Sequence, residues 1–189
     1  PNLDPEATPI TTVEALADRY VDEIVAYQPQ GPYLLAGWSF GGVVAYAVAE
    51  RLQRAGHEVS ILCMFDSHLP STGKIRQLMS QDELLDSARK SEQVVGNEQS
   101  SDLAAMERTY LGAMDMLFRY EAPTYEGRVV IFQAAQSDDL YDVRAADTWE
   151  GMISPAPEVR DVPGDHHSMM REPCVEEVAA ALDEVLDGL

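Results

Sequence analysis

The run Gly31-Pro32-Tyr33-Leu34-Leu35-Ala36-Gly37-Trp38-Ser39-Phe40-Gly41-Gly42 decides the fold. Pro32 to Ala36 is a short apolar stretch of buried-strand type, and Val43 to Arg54 has helical periodicity that ends at Gly56. Between them lies Gly37-x-Ser39-x-Gly41, a pattern that carries meaning in this strand, turn, helix context. Flanking glycines let the chain turn sharply, so that the Ser39 hydroxyl projects above the strand's carboxyl end. The helix that follows aims its N-terminal N–H groups and positive dipole end at the same point, where an oxyanion would form. A phosphate cradle is the competing use of such a turn, but the Walker lysine and the dinucleotide glycine spacing are both absent. The turn predicts a serine nucleophile.

Outward from the turn, helices and strands alternate. Thr11 and Glu14 form a capping box ahead of Leu16, Tyr20, Ile24 and Tyr27 at helical spacing, and Gln28-Pro29-Gln30-Gly31 ends that helix. Val59 to Phe65 is the next apolar run; Gly127 to Ala134 and Glu158 to Val162 are further strands, and Glu176 to Leu186 is a closing helix. Strands joined by crossover helices pair in parallel with both faces covered, so the fold class is α/β. One domain over residues 1–189 accommodates all of this, with a lid-like insertion at 67–101 where the periodicity weakens. Beyond the insertion Leu103, Met106, Tyr110, Met114 and Leu117 fall on one helical stripe, read as core.

A serine needs a base, and four histidines are available. His57 sits in a turn at the sheet end opposite the elbow and is read as solvent-facing. His68 lies just beyond a strand end. His166 and His167 follow the last strand, where the Ser, acid, His order of hydrolase folds puts the base, and local chemistry does not separate the two. For the acid, Asp66 ends one strand while Asp138 and Asp139 follow another. Both loops lie at strand carboxyl ends, where open α/β sheets build their sites, and fold logic slightly favours the later pair.

With 13 Lys+Arg against 33 Asp+Glu, the formal charge of −20 repels nucleic-acid phosphates and anionic lipid. Cys63 and Cys174 form no disulfide framework, which fits a reducing compartment, and no run approaches the ~20 apolar residues of a membrane span. A soluble, cytoplasmic protein without nucleic-acid or membrane partners is expected.

The elbow run, together with Met64-Phe65-Asp66-Ser67 and Gly164-Asp165-His166, resembles the thioesterase domains of nonribosomal peptide and polyketide synthases, from about Thr11 to the C-terminus. The resemblance implies an α/β-hydrolase-type sheet with a helical lid, and a triad of Ser39, Asp66 and His166 with the Phe40 N–H in the oxyanion hole. Asp138 and Asp139 would then be ordinary loop residues. It also implies strands and a second oxyanion donor upstream of the helix near Thr12, which these residues do not contain, so the N-terminal strands are expected to be missing from this chain. The implied reaction releases an acyl or peptidyl chain from the phosphopantetheine thioester of a carrier protein, the preceding domain of the same synthase, by hydrolysis or macrocyclisation. No metal or cofactor of its own is implied. Lys74, Arg76, Arg89 and Lys90 are the densest basic group for docking an acidic carrier. A stand-alone editing thioesterase, a catalytically silent binding module and an esterase for small soluble esters are the alternatives.

Overall fold

The computed structural model describes residues 10–70, 103–136 and 143–189. Helix α1 (Val13–Tyr27) leads to strand β1 (Tyr33–Trp38), helix α2 (Phe40–Arg54) and strand β2 (Val59–Phe65). Helix α3 (Leu103–Arg119), strands β3 (Tyr125–Glu126), β4 (Val129–Ala134), β5 (Ile153–Ser154) and β6 (Glu158–Val162), and helix α4 (Cys174–Leu186) follow. The main sheet has the order β1-β2-β4-β6, and every neighbour is parallel. The α/β reading therefore holds.

Strand period sets the two faces of the sheet. Leu62 and Met64 of β2, with Val129 and Ile131 of β4, join the core under α1, α2 and α3. Ile61, Cys63 and Phe65, with Val130 and Phe132, face α4 through Val178 and Val185. Helix α2 has nine buried residues because it lies between the sheet and two helices. In α3, Met114 and Leu117 are buried and Tyr110 packs on the same core, as the stripe predicts; the side chains of Leu103 and Met106 lie outside the described residues.

Three expectations need correction. Thr12, not Thr11, caps α1, its hydroxyl accepting from Ala15 N–H at 3.1 Å, and Tyr27 at the helix end is 92% exposed rather than part of the buried stripe. The strand expected from Gly127 begins at Val129, because Tyr125 and Glu126 instead pair with Ile153 and Ser154 in a separate two-stranded ribbon. Ser67 to Pro70, the first residues of the lid-like insertion, are buried. The rest of the insertion, with Lys74, Arg76, Arg89 and Lys90, lies outside the described residues, as do Asp138 and Asp139.

Strand β1 ends the sheet, its Leu34 is 58% exposed, and an apolar groove of about 250 Å³ runs beside it between α1 and α2, past Leu35 and Phe40. Among the described residues no helix is long and apolar enough to cross a membrane.

Close approach makes two glycines of the elbow indispensable, and a Cβ on the first, Gly37, would land on the Gly41 carbonyl oxygen. A Cβ on Gly42 would land on the Ser67 side chain and 2.8 Å from the Gly37 carbonyl oxygen, whereas one on Gly41 would meet nothing within 4 Å. Gly42→Ala is therefore expected to cost about 1–3 kcal/mol through overpacking. Gly41→Ala should be neutral or stabilising by about 0.5–1 kcal/mol as a helical Gly→Ala change. Urea denaturation should show a loss of stability in Gly42→Ala and none in Gly41→Ala.

Candidate active site

Ser39 occupies the turn between β1 and α2 with φ 55° and ψ −128°, a backbone conformation that glycine adopts readily and other residues only under constraint. The constraint is visible: Ser39 N–H extends the sheet ladder to the Phe65 carbonyl at 3.0 Å, and its own carbonyl accepts from Gly42 N–H at 3.1 Å. Asp66, at φ 43°, is the other non-glycine residue with positive φ among the described residues. Both strained residues belong to one constellation, as is common where backbone strain serves a site.

His166 joins them. Its Nδ1 lies 2.8 Å from Asp66 Oδ2 and its Nε2 2.9 Å from Ser39 Oγ. A carboxylate only accepts, so Nδ1 carries the proton and the Nε2 lone pair faces the serine hydroxyl. Burial pushes the Asp66 carboxyl up, but the hydrogen bond from His166, the fields of His68 and His166 and the Ala134 N–H together outweigh it and hold the acid below the ordinary carboxylate range. Phe40, the first residue of α2, presents its N–H at the start of the helix, where backbone donors have no intrahelical acceptor.

Local chemistry left His166 and His167 equivalent; the loop around them decides. Asp165 Oδ1 accepts from the N–H groups of His167 at 2.9 Å and Ser168 at 2.8 Å, while Ser168 Oγ accepts from Asp165 N–H at 2.8 Å. This reciprocal box starts the 3-10 turn Ser168–Met170 and leaves His166 just ahead of it, turned toward Ser39. The Trp38 ring stacks on His166 with centroids 5.3 Å apart, and its Nε1–H donates to the His166 carbonyl at 3.0 Å. His167 is buried with its ring edge-on to that of His166. His57 is half-buried with its ring against Tyr33, away from the site, so it is less open to solvent than expected.

Gln133, Thr148 and Trp149 escaped the sequence reading. Gln133, a polar residue within the apolar strand β4, donates from Nε2 to Asp66 Oδ1 at 2.8 Å, and Ala134 N–H donates to the same oxygen at 3.2 Å. A lone glutamine inside Val129–Ala134 is a signal that could have found it, since buried polar side chains need partners. The 3-10 turn Ala146–Trp149 braces the acid turn: Trp149 Nε1–H donates to the Ser67 carbonyl at 2.7 Å, and Leu69 N–H to Thr148 Oγ1 at 2.9 Å. His68 lies within this turn, its Nε2 2.9 Å from the Val143 carbonyl.

Burial pushes the His68 imidazole down, outweighing the nearby Asp66 carboxylate and the two backbone carbonyls that favour its charged form. Its contribution to stability is fully in place above about pH 6.5, the value of free imidazole. It drains as pH falls, because the unfolded chain then binds a proton that the folded one resists. In urea unfolding at pH 5 and pH 7, His68→Gln should narrow the stability gap between the two pH values.

Asp66, His68 and His166 are also the one group of metal-ligating type among the described residues, with donor atoms within 4.8 Å of one another. Those atoms are already committed to each other, to Ser39, to Gln133 and to backbone carbonyls. Burial pushes the Cys63 thiol up to about 11, which leaves it a poor nucleophile at neutral pH.

The family described as Thioesterase domain matches residues 4–186. The dimodular nonribosomal peptide synthase of Bacillus subtilis (strain 168) is 26% identical over 93% of this chain and 8% of its own length. The non-reducing polyketide synthase CTB1 of Cercospora nicotianae is 56% identical over 54 residues, 29% of this chain and 2% of its own. The chain spans less than a tenth of the length of these curated relatives. Among solved structures, the NocB thioesterase domain from the nocardicin cluster, in covalent complex with a fluorophosphonate nocardicin G analogue, superposes with a TM-score of 0.75 at 28% identity, over 97% of this chain and 80% of that one. A family match over nearly the whole chain, joined to the same architecture, makes this protein a member of the thioesterase domain family.

Proposed function

We propose that this chain is a serine thioesterase that takes an acyl or peptidyl group from the phosphopantetheine thiol of a carrier protein onto Ser39 and then releases it. The observation that carries the reading is the hydrogen-bonded line from Ser39 Oγ through His166 to Asp66. His166 Nε2 removes the hydroxyl proton as Oγ attacks the thioester carbonyl, and the oxyanion develops against the Phe40 N–H at the start of α2. The imidazolium, oriented and stabilised by Asp66, passes that proton to the departing thiolate. Water then attacks the acyl-enzyme to give an acid, or a nucleophile within the chain attacks it to give a macrocycle. The balance between them falls to the surface covering Ser39, since a cyclising chain must fold back faster than water arrives.

Two features of the relatives support the reading. They are multidomain peptide and polyketide synthases of which a domain like this one is a small part, so the carrier protein is assigned to the same synthase. The NocB domain forms a covalent complex with a fluorophosphonate nocardicin G analogue, which supports testing this chain with a fluorophosphonate. The second oxyanion donor is assigned to a segment that packs along the outer edge of β1, where Leu34 and the apolar groove are open.

A fluorophosphonate probe and an acyl-pantetheine thioester test the reading together. Covalent labelling and thiol release, with the matching oxygen ester turned over more slowly, are expected. A folded chain that neither takes the label nor releases thiol would be a silent binding module. A preference for the oxygen ester would make it an esterase.

A further inference from the structure

Asp66 has two oxygens with separate partners. Oδ2 holds His166, while Oδ1 is held by Gln133 and the Ala134 N–H. Gln133 is 5% exposed and its amide orientation is fixed by its other end, because Oε1 accepts from Ala146 N–H at 3.1 Å. A backbone N–H only donates, so the amide oxygen must face Ala146 and the NH₂ must face Asp66. The side chain thus links β4, the acid turn after β2 and the 3-10 turn at Ala146 through one amide.

We propose that Gln133 is the positioning residue of the triad: its NH₂ holds Asp66 as a carboxylate, turned so that Oδ2 meets His166 Nδ1. The proposal rests on the triad reading and assigns a part of the machinery outside the three triad members. Without the donor, Asp66 keeps only the Ala134 N–H on Oδ1, is freer to rotate, and is a weaker anchor for the imidazole.

Gln133→Glu separates this role from a structural one. Either carboxyl oxygen can accept from Ala146 N–H as the native amide does, so the link to the 3-10 turn is kept at every pH. The link to Asp66 is kept only while the glutamate is protonated; once ionised, it sets a second carboxylate against the first. Burial and the Asp66 charge both raise the pKa of a glutamate placed there. The titratable and charged groups around position 133 are Asp66 and His68 from the acid turn, His166 from the loop after β6, and the exposed Asp161–Arg144 pair across the β4–β6 ladder. Taking the ratio of variant to wild-type kcat at each pH cancels titrations common to both.

That ratio is expected to fall at least about tenfold between pH 6 and pH 9, with KM little changed. Gln133→Met, which cannot donate at any pH, should lose about tenfold in kcat with a flat ratio. The downfield proton resonance of His166 Nδ1–H gives a readout that needs no turnover: in Gln133→Glu it should be present at pH 6 and lost or broadened by pH 9, while wild type keeps it. A flat ratio and an unchanged resonance in a folded Gln133→Glu overturn the proposal. Should that variant not fold, wild-type kcat in Gln133→Met does so. Failure of the underlying reading looks different, since wild type itself would then transfer no acyl group while the resonance still reports on Gln133.

Discussion

Ser39→Ala is expected to lower kcat with a thioester substrate by about a millionfold, as removal of the nucleophile does in serine hydrolases generally. Position 39 faces His166 Nε2 at 2.9 Å, and the methyl of alanine offers neither a proton to take nor an oxygen to attack with. The same position stores strain, because φ 55° and ψ −128° belong to the turn geometry that favours glycine. Ser39→Gly should therefore be equally inactive yet more stable than wild type by about 1 kcal/mol. Paired thiol-release assays and urea denaturation check both. A Ser39→Gly protein that is inactive and less stable would mean that the turn is relaxed, and that loss of activity reflects a damaged fold.

Asp66→Asn should cost about 10⁴ in kcat while leaving the fold nearly intact. The size follows from who faces each oxygen. Gln133 Nε2 and Ala134 N–H both donate to Oδ1, so an asparagine must keep its carbonyl oxygen there and turn its NH₂ toward His166. That NH₂ donates, which obliges His166 Nδ1 to accept and moves the ring proton to Nε2. The imidazole then presents a donor to Ser39 where a base is needed. Asp138→Asn and Asp139→Asn are expected to be nearly silent in the same thiol-release assay; the reverse pattern would move the acid to the later loop.

How much of this was legible in the sequence depends on the length of the pattern that carries it. Val59–Phe65 was readable to the residue because a buried parallel strand leaves a continuous apolar signature, and the largely exposed Glu158–Val162 because Pro157 and Pro163 bound it. Tyr125–Glu126 and Ile153–Ser154 were not, since two residues have no period; tertiary pairing alone makes them strands. The tight turn at Ser39 was legible because strand, glycines and helix all had to agree. The histidine and the aspartate that line up with Ser39 were legible only as alternatives. Asp165 and Ser168 stand three apart, the spacing of a reciprocal cap, and that spacing was the unused clue separating His166 from His167. Nothing local marks Asp66 as the partner of His166, for its setting depends on β4 lying beside β2 and bringing Gln133 and Ala134 to its carboxylate.

The central claim is a covalent step at one oxygen. The protein is mixed with an acyl-pantetheine thioester, quenched within a single turnover and digested, and the peptides are weighed. The account predicts an added acyl mass on the peptide containing Ser39, released thiol in equal amount, and neither in Ser39→Ala. Acyl mass on a different residue such as Cys63 or Cys174, or thiol release that persists in Ser39→Ala, would contradict it.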